Sequence, residues 1–139
     1  MKNNATITFL SEQQYEAESD SAKLQASGTL EKVNDLFIIE YTEPDEEMGK
    51  STSVIEVVSP TLVNLKRTGL YTADFIIEEG RTHSSLYKTP FGEMSMDITA
   101  KKVDAQMTEK GGKIYLEYKI ESNSQLIGEN TLNMEIKIN

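Results

Sequence analysis

The sequence predicts an all-β protein, a single antiparallel up-and-down barrel of about ten strands occupying residues 1–139 as one domain. Three observations carry this. Near the C-terminus Ile114, Leu116, Tyr118 and Ile120 alternate with Tyr115, Glu117, Lys119 and Glu121. After a turn at Glu121 to Gln125, Leu132, Met134, Ile136 and Ile138 alternate with Asn133, Glu135 and Lys137. Period two places one residue set on each side of a strand, so this is a hairpin with one wet face. The same period recurs upstream between closely spaced turn signals, and no segment of about a dozen residues shows the 3.6 period of a helix. Sequential hairpins favour up-and-down order, and closure removes edges that Thr-rich and Tyr-rich strands would otherwise expose.

Taken in order, Ile7 and Phe9 alternate with Thr6, Thr8 and Leu10 to open the sheet. A polar loop rich in Glu and Ser is expected next, before Leu24, Ala26, Gly28 and Leu30 alternate with Lys23, Gln25, Ser27, Thr29 and Glu31. Asn34-Asp35 turns the chain into Leu36 to Thr42. Glu43-Pro44-Asp45-Glu46-Glu47-Met48-Gly49 reads as the longest break, a mobile rim loop, because Pro lacks a donor, Gly frees φ and clustered carboxylates repel. Strands resume over Ser53 to Ser59, Leu62 to Thr68 and Ala73 to Glu78, separated by Ser59-Pro60-Thr61 and Gly69. Thr82 to Lys88 follows the turn at Glu79-Gly80, and Thr89-Pro90-Phe91-Gly92 bends into Glu93 to Met107. In that last run Met94, Met96 and Ile98 share one parity and Val103, Ala105 and Met107 the other, which predicts a bulge near Ala100 to Lys102. Lys110-Gly111-Gly112 makes the hairpin into the strand at Lys113.

At this length the chain buries roughly 68% of its unfolded surface without covalent staples. It has no Cys, which removes disulfides, thiolate metal sites and thiol nucleophiles and suits a reducing cytoplasm. No apolar signal region precedes the first strand and no stretch approaches the ~20 apolar residues of a membrane helix, so a cytoplasmic, unprocessed protein without membrane association is expected. Asn4-Ala5-Thr6 matches the glycosylation spacing by chance. Fourteen Lys and Arg against 23 Asp and Glu give a net charge of −9, which repels nucleic acid and anionic lipid and would attract a basic partner.

Leu86-Tyr87-Lys88-Thr89-Pro90-Phe91-Gly92, Gly111-Gly112-Lys113-Ile114-Tyr115-Leu116-Glu117-Tyr118 and Gln125-Leu126-Ile127-Gly128-Glu129-Asn130 resemble, in order and spacing, the small bacterial YwiB-like proteins, the domain of unknown function 1934. The resemblance spans nearly the whole chain and implies a calycin-like, lipocalin-like barrel. Its motifs are structural and carry over no active site. Calycin-like architecture implies an interior cavity by analogy of fold alone.

Candidate chemistry is sparse. His83 is the single histidine; Ser85 shares its strand face, whereas Ser84 points to the other side. A hydrogen-bonded structural His competes with a catalytic or ligand-binding one, and no G-x-S-x-G elbow is present. Gly49-Lys50-Ser51 echoes a phosphate loop, but Pro44 stands where the first Gly belongs and a strand is expected to follow. The carboxylates Glu43, Asp45, Glu46 and Glu47 lack the alternation of a calcium loop, and one His with scattered acids offers no zinc spacing, so no metal and no cofactor is expected.

Arg67 shares parity with Val63 and Leu65. If that face is inward, its guanidinium requires a carboxylate or an anionic ligand; the blander reading turns Leu62, Asn64 and Lys66 inward, or leaves Arg67 at the strand end in water. Tyr41, Tyr71, Tyr87 and Tyr118, with Phe37, Phe75 and Phe91, can line a pocket or fill one, as can Met48, Met94, Met96, Met107 and Met134. Tyr115 lies on the wet face, where an aromatic suggests an interaction surface.

The reading that follows is a non-enzymatic binder of a small, partly apolar or anionic ligand in the barrel interior or mouth, monomeric or homodimeric. Arg67, Tyr41, Tyr71, Tyr87, Tyr118 and His83 are the candidate contacts. The rival is an interaction module with a filled barrel, meeting a partner through Tyr115 or the acidic loop. Acid–base chemistry around His83, Arg67 and a carboxylate is the third.

Overall fold

In a computed structural model the chain is described over residues 2–15, 18–45 and 49–139, with side chains outside 15–20 and 43–50. Ten strands run β1 (Asn3–Tyr15), β2 (Glu18–Val33), β3 (Leu36–Asp45), β4 (Gly49–Ser59), β5 (Leu62–Thr68), β6 (Thr72–Glu78), β7 (Thr82–Thr89), β8 (Gly92–Thr108), β9 (Gly111–Ser122) and β10 (Gln125–Ile138). Each is antiparallel to its sequence neighbour, and β1 pairs with β10 to close the barrel. The expected all-β, up-and-down architecture is what forms. Among the described residues no helix is long and apolar enough to cross a membrane.

Two expected loops are instead strand. The polar stretch after Phe9 continues the first hairpin, with β1 and β2 in register from Asn3↔Leu30 to Tyr15↔Glu18. Polar residues there suit strands because Glu12 to Gln14 and Ser21 to Gln25, residues of both parities, are exposed. The break at Glu43 to Gly49 is shorter than expected: β3 continues through Asp45 and pairs Glu43↔Ser51, Pro44↔Lys50 and Asp45↔Gly49. Glu46 to Met48 lie outside the described residues. Since β4 begins at Gly49, strand rather than helix follows the Gly-Lys-Ser sequence.

Turn chemistry fits the residues. Asn34 between β2 and β3, and Asn123 and Ser124 between β9 and β10, adopt positive φ (56°, 52° and 65°), the left-handed conformation that twist-matched two-residue hairpins demand. The predicted bulge in β8 sits between Ala100 and Lys102, so Ile98, Ala100, Val103 and Ala105 are all buried despite their change of parity.

That bulge also seals one end of the barrel, here called the lower end. The turn after β4 reaches across it, with the Ala105 N–H donating to the Pro60 carbonyl at 2.9 Å. The turn after β6 is tied to β8 as well: the Gly80 N–H donates to Ala100, and the Val103 N–H, freed by the bulge, donates to Glu79 Oε1 at 3.1 Å. Above this brace Ile7, Leu30, Ile39, Val63, Ile77, Ile114 and Ile136 form a plug of fully buried side chains. Burying a residue of this size stabilises by roughly 1.5–3 kcal/mol.

Two seams are not complete ladders. β6 and β7 are in register only at Thr72↔Lys88 and Ala73↔Tyr87. β2 and β3 pair only from Val33↔Leu36 to Gly28↔Tyr41, although both strands continue beyond.

Candidate functional site

Above the plug the barrel is hollow. A cavity of about 250 Å³ is floored by Val63, Ile114 and Met134 and walled by Phe9, Tyr41, Ile55, Leu65, Leu116 and Leu132; Ser11, Ala22, Leu24 and Arg67 complete its lining. The polar contribution is small. Phe9 and Tyr41 pack as a tilted aromatic pair, ring centroids 4.8 Å apart, and form a rigid corner.

The parity of β5 decides the position of Arg67. Val63 is buried, Leu65 is half-buried against the core, and Arg67 lines the cavity. Lys66 faces the other way and pairs with Glu56 at 3.2 Å on the outer surface. The alternative with Leu62, Asn64 and Lys66 inward is thereby overturned: Val63 and Leu65 lie opposite Val57 and Ile55 of β4, and that apolar match fixes the register. Arg67 and Tyr41 each already make a further interaction.

The six candidate residues do not converge. Arg67 and Tyr41 share the cavity. Tyr71 and Tyr87 belong to a separate aromatic cluster around the upper part of the β6–β7 seam, with ring centroids 6.0 Å apart and Phe75 stacked on Tyr87 at 6.4 Å. Tyr118 on β9 is half-buried against the core, opposite Asn130 and Ala100, and has an interaction of its own.

His83 lies farther down the β6–β7 seam. Its Nε2 is 2.9 Å from Glu78 Oε1; the carboxylate accepts, so Nε2 carries the proton. The Ser85 hydroxyl donates to the Asp74 carbonyl at 2.6 Å, and Ser84 donates to Asp97. Imidazole and hydroxyls thus engage different partners, and the His83 and Ser85 bonds bridge the gap left by the missing ladder. Among the described residues no group of three His, Asp or Glu is arranged to hold a metal.

Cavity residues outside the candidate set, notably Phe9, Ile55, Leu65 and Leu132, carry no chemical signature. Their inward parity is visible in sequence, but their height in the barrel is not.

A second concavity of about 550 Å³ lies on the outer wall, crossing β2, β1, β10, β9 and β8. Thr8, Leu10, Lys23, Gln106, Tyr115 and Glu135 are part of its lining. It is wider and more polar than the interior cavity. Tyr115 donates to Glu117 Oε1 at 2.7 Å, and Lys102 Nζ sits 5.8 Å from its ring centroid. That hydrogen bond, with burial and the Glu117 charge adding to it, holds the phenol above its ordinary pKa of 10.0. On the same face the Lys137 hydrogen bond and charge keep Glu135 below the usual carboxylate value.

The family model described as Domain of unknown function (DUF1934) matches residues 7–134. No curated protein matches the sequence. The crystal structure of ywiB protein from Bacillus subtilis superposes with a TM-score of 0.90 at 17% identity, over 99% of this chain and 93% of that one, a likeness of fold.

Proposed function

Because the chain belongs to the family described as Domain of unknown function (DUF1934), whose barrel comes with no stated reaction, we propose from the site itself that the protein is a non-enzymatic carrier or sensor of a small, partly apolar anion. The observation that carries this reading is the apolar cavity above the plug with one guanidinium in its wall. Its volume lies just below the ~300 Å³ at which ordinary ligand sites begin. That favours a compact guest, in size about eight waters at ~30 Å³ each. A short acyl or small aromatic carboxylate fits the chemistry: its apolar part meets Phe9, Leu65 and Leu132 and its carboxylate takes the planar fork of Arg67. Tyr41 is the second polar contact. Tyr71, Tyr87, Tyr118 and His83 stand outside the cavity lining and take no part in holding the guest.

The same reading makes it a cytoplasmic protein, monomeric or homodimeric, acting on neither nucleic acid nor membranes. The −9 charge and the absence of Cys support that assignment.

Native mass spectrometry of freshly purified protein, followed by identification of any released molecule, is the first test. A stoichiometric small carboxylate supports the reading. Octanoate provides the defined probe: the Arg67→Gln variant, checked for retained fold by circular dichroism, is expected to bind it at least about tenfold more weakly, since hydrogen bonds to charged groups contribute ~1.5–3 kcal/mol. Equal affinity of variant and parent rejects the anchor.

One observation favours a second reading. The outer concavity around Tyr115 suits a protein partner, and in that case Tyr115→Ala abolishes the interaction while octanoate binding is unaffected.

A further inference from the structure

The β2–β3 seam stops for reasons that can be read in the chain. Gly28 makes the last pair, with Tyr41, and a Cβ there would meet the Glu40 carbonyl, so the two backbones approach unusually closely at that point. Continuing the register upward would set Gln25 opposite Pro44, which has no N–H to give. Beyond Gly28 the strands part. β2 runs on to Glu18 paired with β1, and among the described residues its other edge has no strand partner there. Burial reports the same opening: Ala22 and Leu24 have the inward parity of Gly28 and Leu30, yet both are exposed, Leu24 at 49%. The slot leads straight into the cavity, whose lining includes Ala22 and Leu24 from β2 and Tyr41 from β3.

We propose that this slot takes an extended segment of a partner protein, which adds as a strand along Ser21–Ser27 of β2, inserts one apolar side chain into the cavity and carries basic residues beside it. The edge spans about 20 Å at ~3.3 Å per residue, enough for a regular ladder. A small molecule fills the cavity but leaves the backbone donors and acceptors of β2 to water; a second backbone matches both. An incoming strand alternates, so a residue beside Leu24 points inward, where Phe9, Leu65 and Leu132 surround it. Charge selects the partner. In sequence the free length of β2 holds Glu18 and Asp20 against Lys23, β3 beyond Tyr41 holds Glu43 and Asp45, and the whole chain stands at −9. The same acidic excess disfavours β2 of a second copy and favours Lys or Arg.

The proposal shares the cavity with the small-anion reading without depending on it. The test selects binders to the full chain from phage displaying random nonapeptides, in about 50 mM salt where charge is weakly screened. The enriched sequence is then synthesised and amide exchange is followed by NMR. The expected peptide alternates apolar residues with Lys or Arg and slows exchange of slot-facing amides within Ser21–Ser27 by about tenfold or more. N-methylation of its alternate amides on the ladder-forming side abolishes binding. Failure to enrich any sequence overturns strand addition, as does a peptide that leaves Ser21–Ser27 exchange unchanged or that binds equally well when N-methylated. Octanoate binding without peptide protection leaves the small-anion reading standing alone; peptide protection without octanoate binding does the reverse.

Discussion

Ile39 and Tyr41 are two residues apart on β3, both inward, and the barrel changes character between them. Ile39 faces Leu30 within the paired part of the β2–β3 seam, inside a plug where side chains are shielded from water. Tyr41 faces Gly28, the last paired position, and looks into the cavity. Below this level Leu30 and Ile39 are buried; above it, Ala22 and Leu24 of β2 have the same inward parity and remain wet. Alternation decides which way a side chain points, and the neighbouring strand decides whether pointing inward removes it from water.

The largest expected effects set the two halves against each other. Ile39→Ala should destabilise by about 2–5 kcal/mol, through lost burial and the void it leaves. Leu24→Ala should change stability by no more than ~0.5 kcal/mol, because its side chain is half in solvent. Urea unfolding measures both, and equal losses would erase the division. Next is Gly28→Ala, whose Cβ meets the Glu40 carbonyl; a cost of about 1–3 kcal/mol is expected if the backbone must move to admit it. A neutral result would mean that the strands can part there freely.

A smaller effect tests the other incomplete seam. His83→Ala removes the bond to Glu78 that helps hold β7 to β6, at an expected cost of about 0.5–1.5 kcal/mol with octanoate affinity unchanged, since His83 does not line the cavity. Loss of octanoate affinity in a folded His83 variant would move the site.

The smallest effect concerns the outer wall. Tyr115 should ionise above the ordinary tyrosine value in a residue-resolved NMR pH titration, and Glu117→Gln should bring it back toward 10.0. Its contribution to stability is present below the ordinary tyrosine pKa and lost as pH rises through the raised one. Glu135 runs in the opposite sense: its contribution is present above the ordinary carboxylate pKa and lost as pH falls through the lowered one.

Much of the fold is legible in the chain because period two is a local property. The hairpins at Asn34 and Asn123, and the bulge at Ala100 to Lys102, follow from turn chemistry and a parity change visible in a short window. The first hairpin is harder to read, since Glu12 to Gln14 and Ser21 to Gln25 meet water with both parities and its polar residues look like a loop. The site is less legible still. The parity of Arg67 leaves two registers open until β4 is set beside β5. The separation of Tyr41 from Tyr87 and His83 depends on which strands diverge, and that is fixed by Gly28, Pro44 and the short β6–β7 ladder, none of them marked as functional by residue type.

The most direct measurement is a methyl-resolved NMR titration of the full chain with octanoate. The division of the barrel predicts saturable shifts at Ile55, Leu65, Leu132 and Met134, with Ile7, Ile39 and Ile136 unmoved. No shift anywhere, or shifts confined to Leu10 and its neighbours on the outer wall, would contradict an accessible cavity above a closed plug.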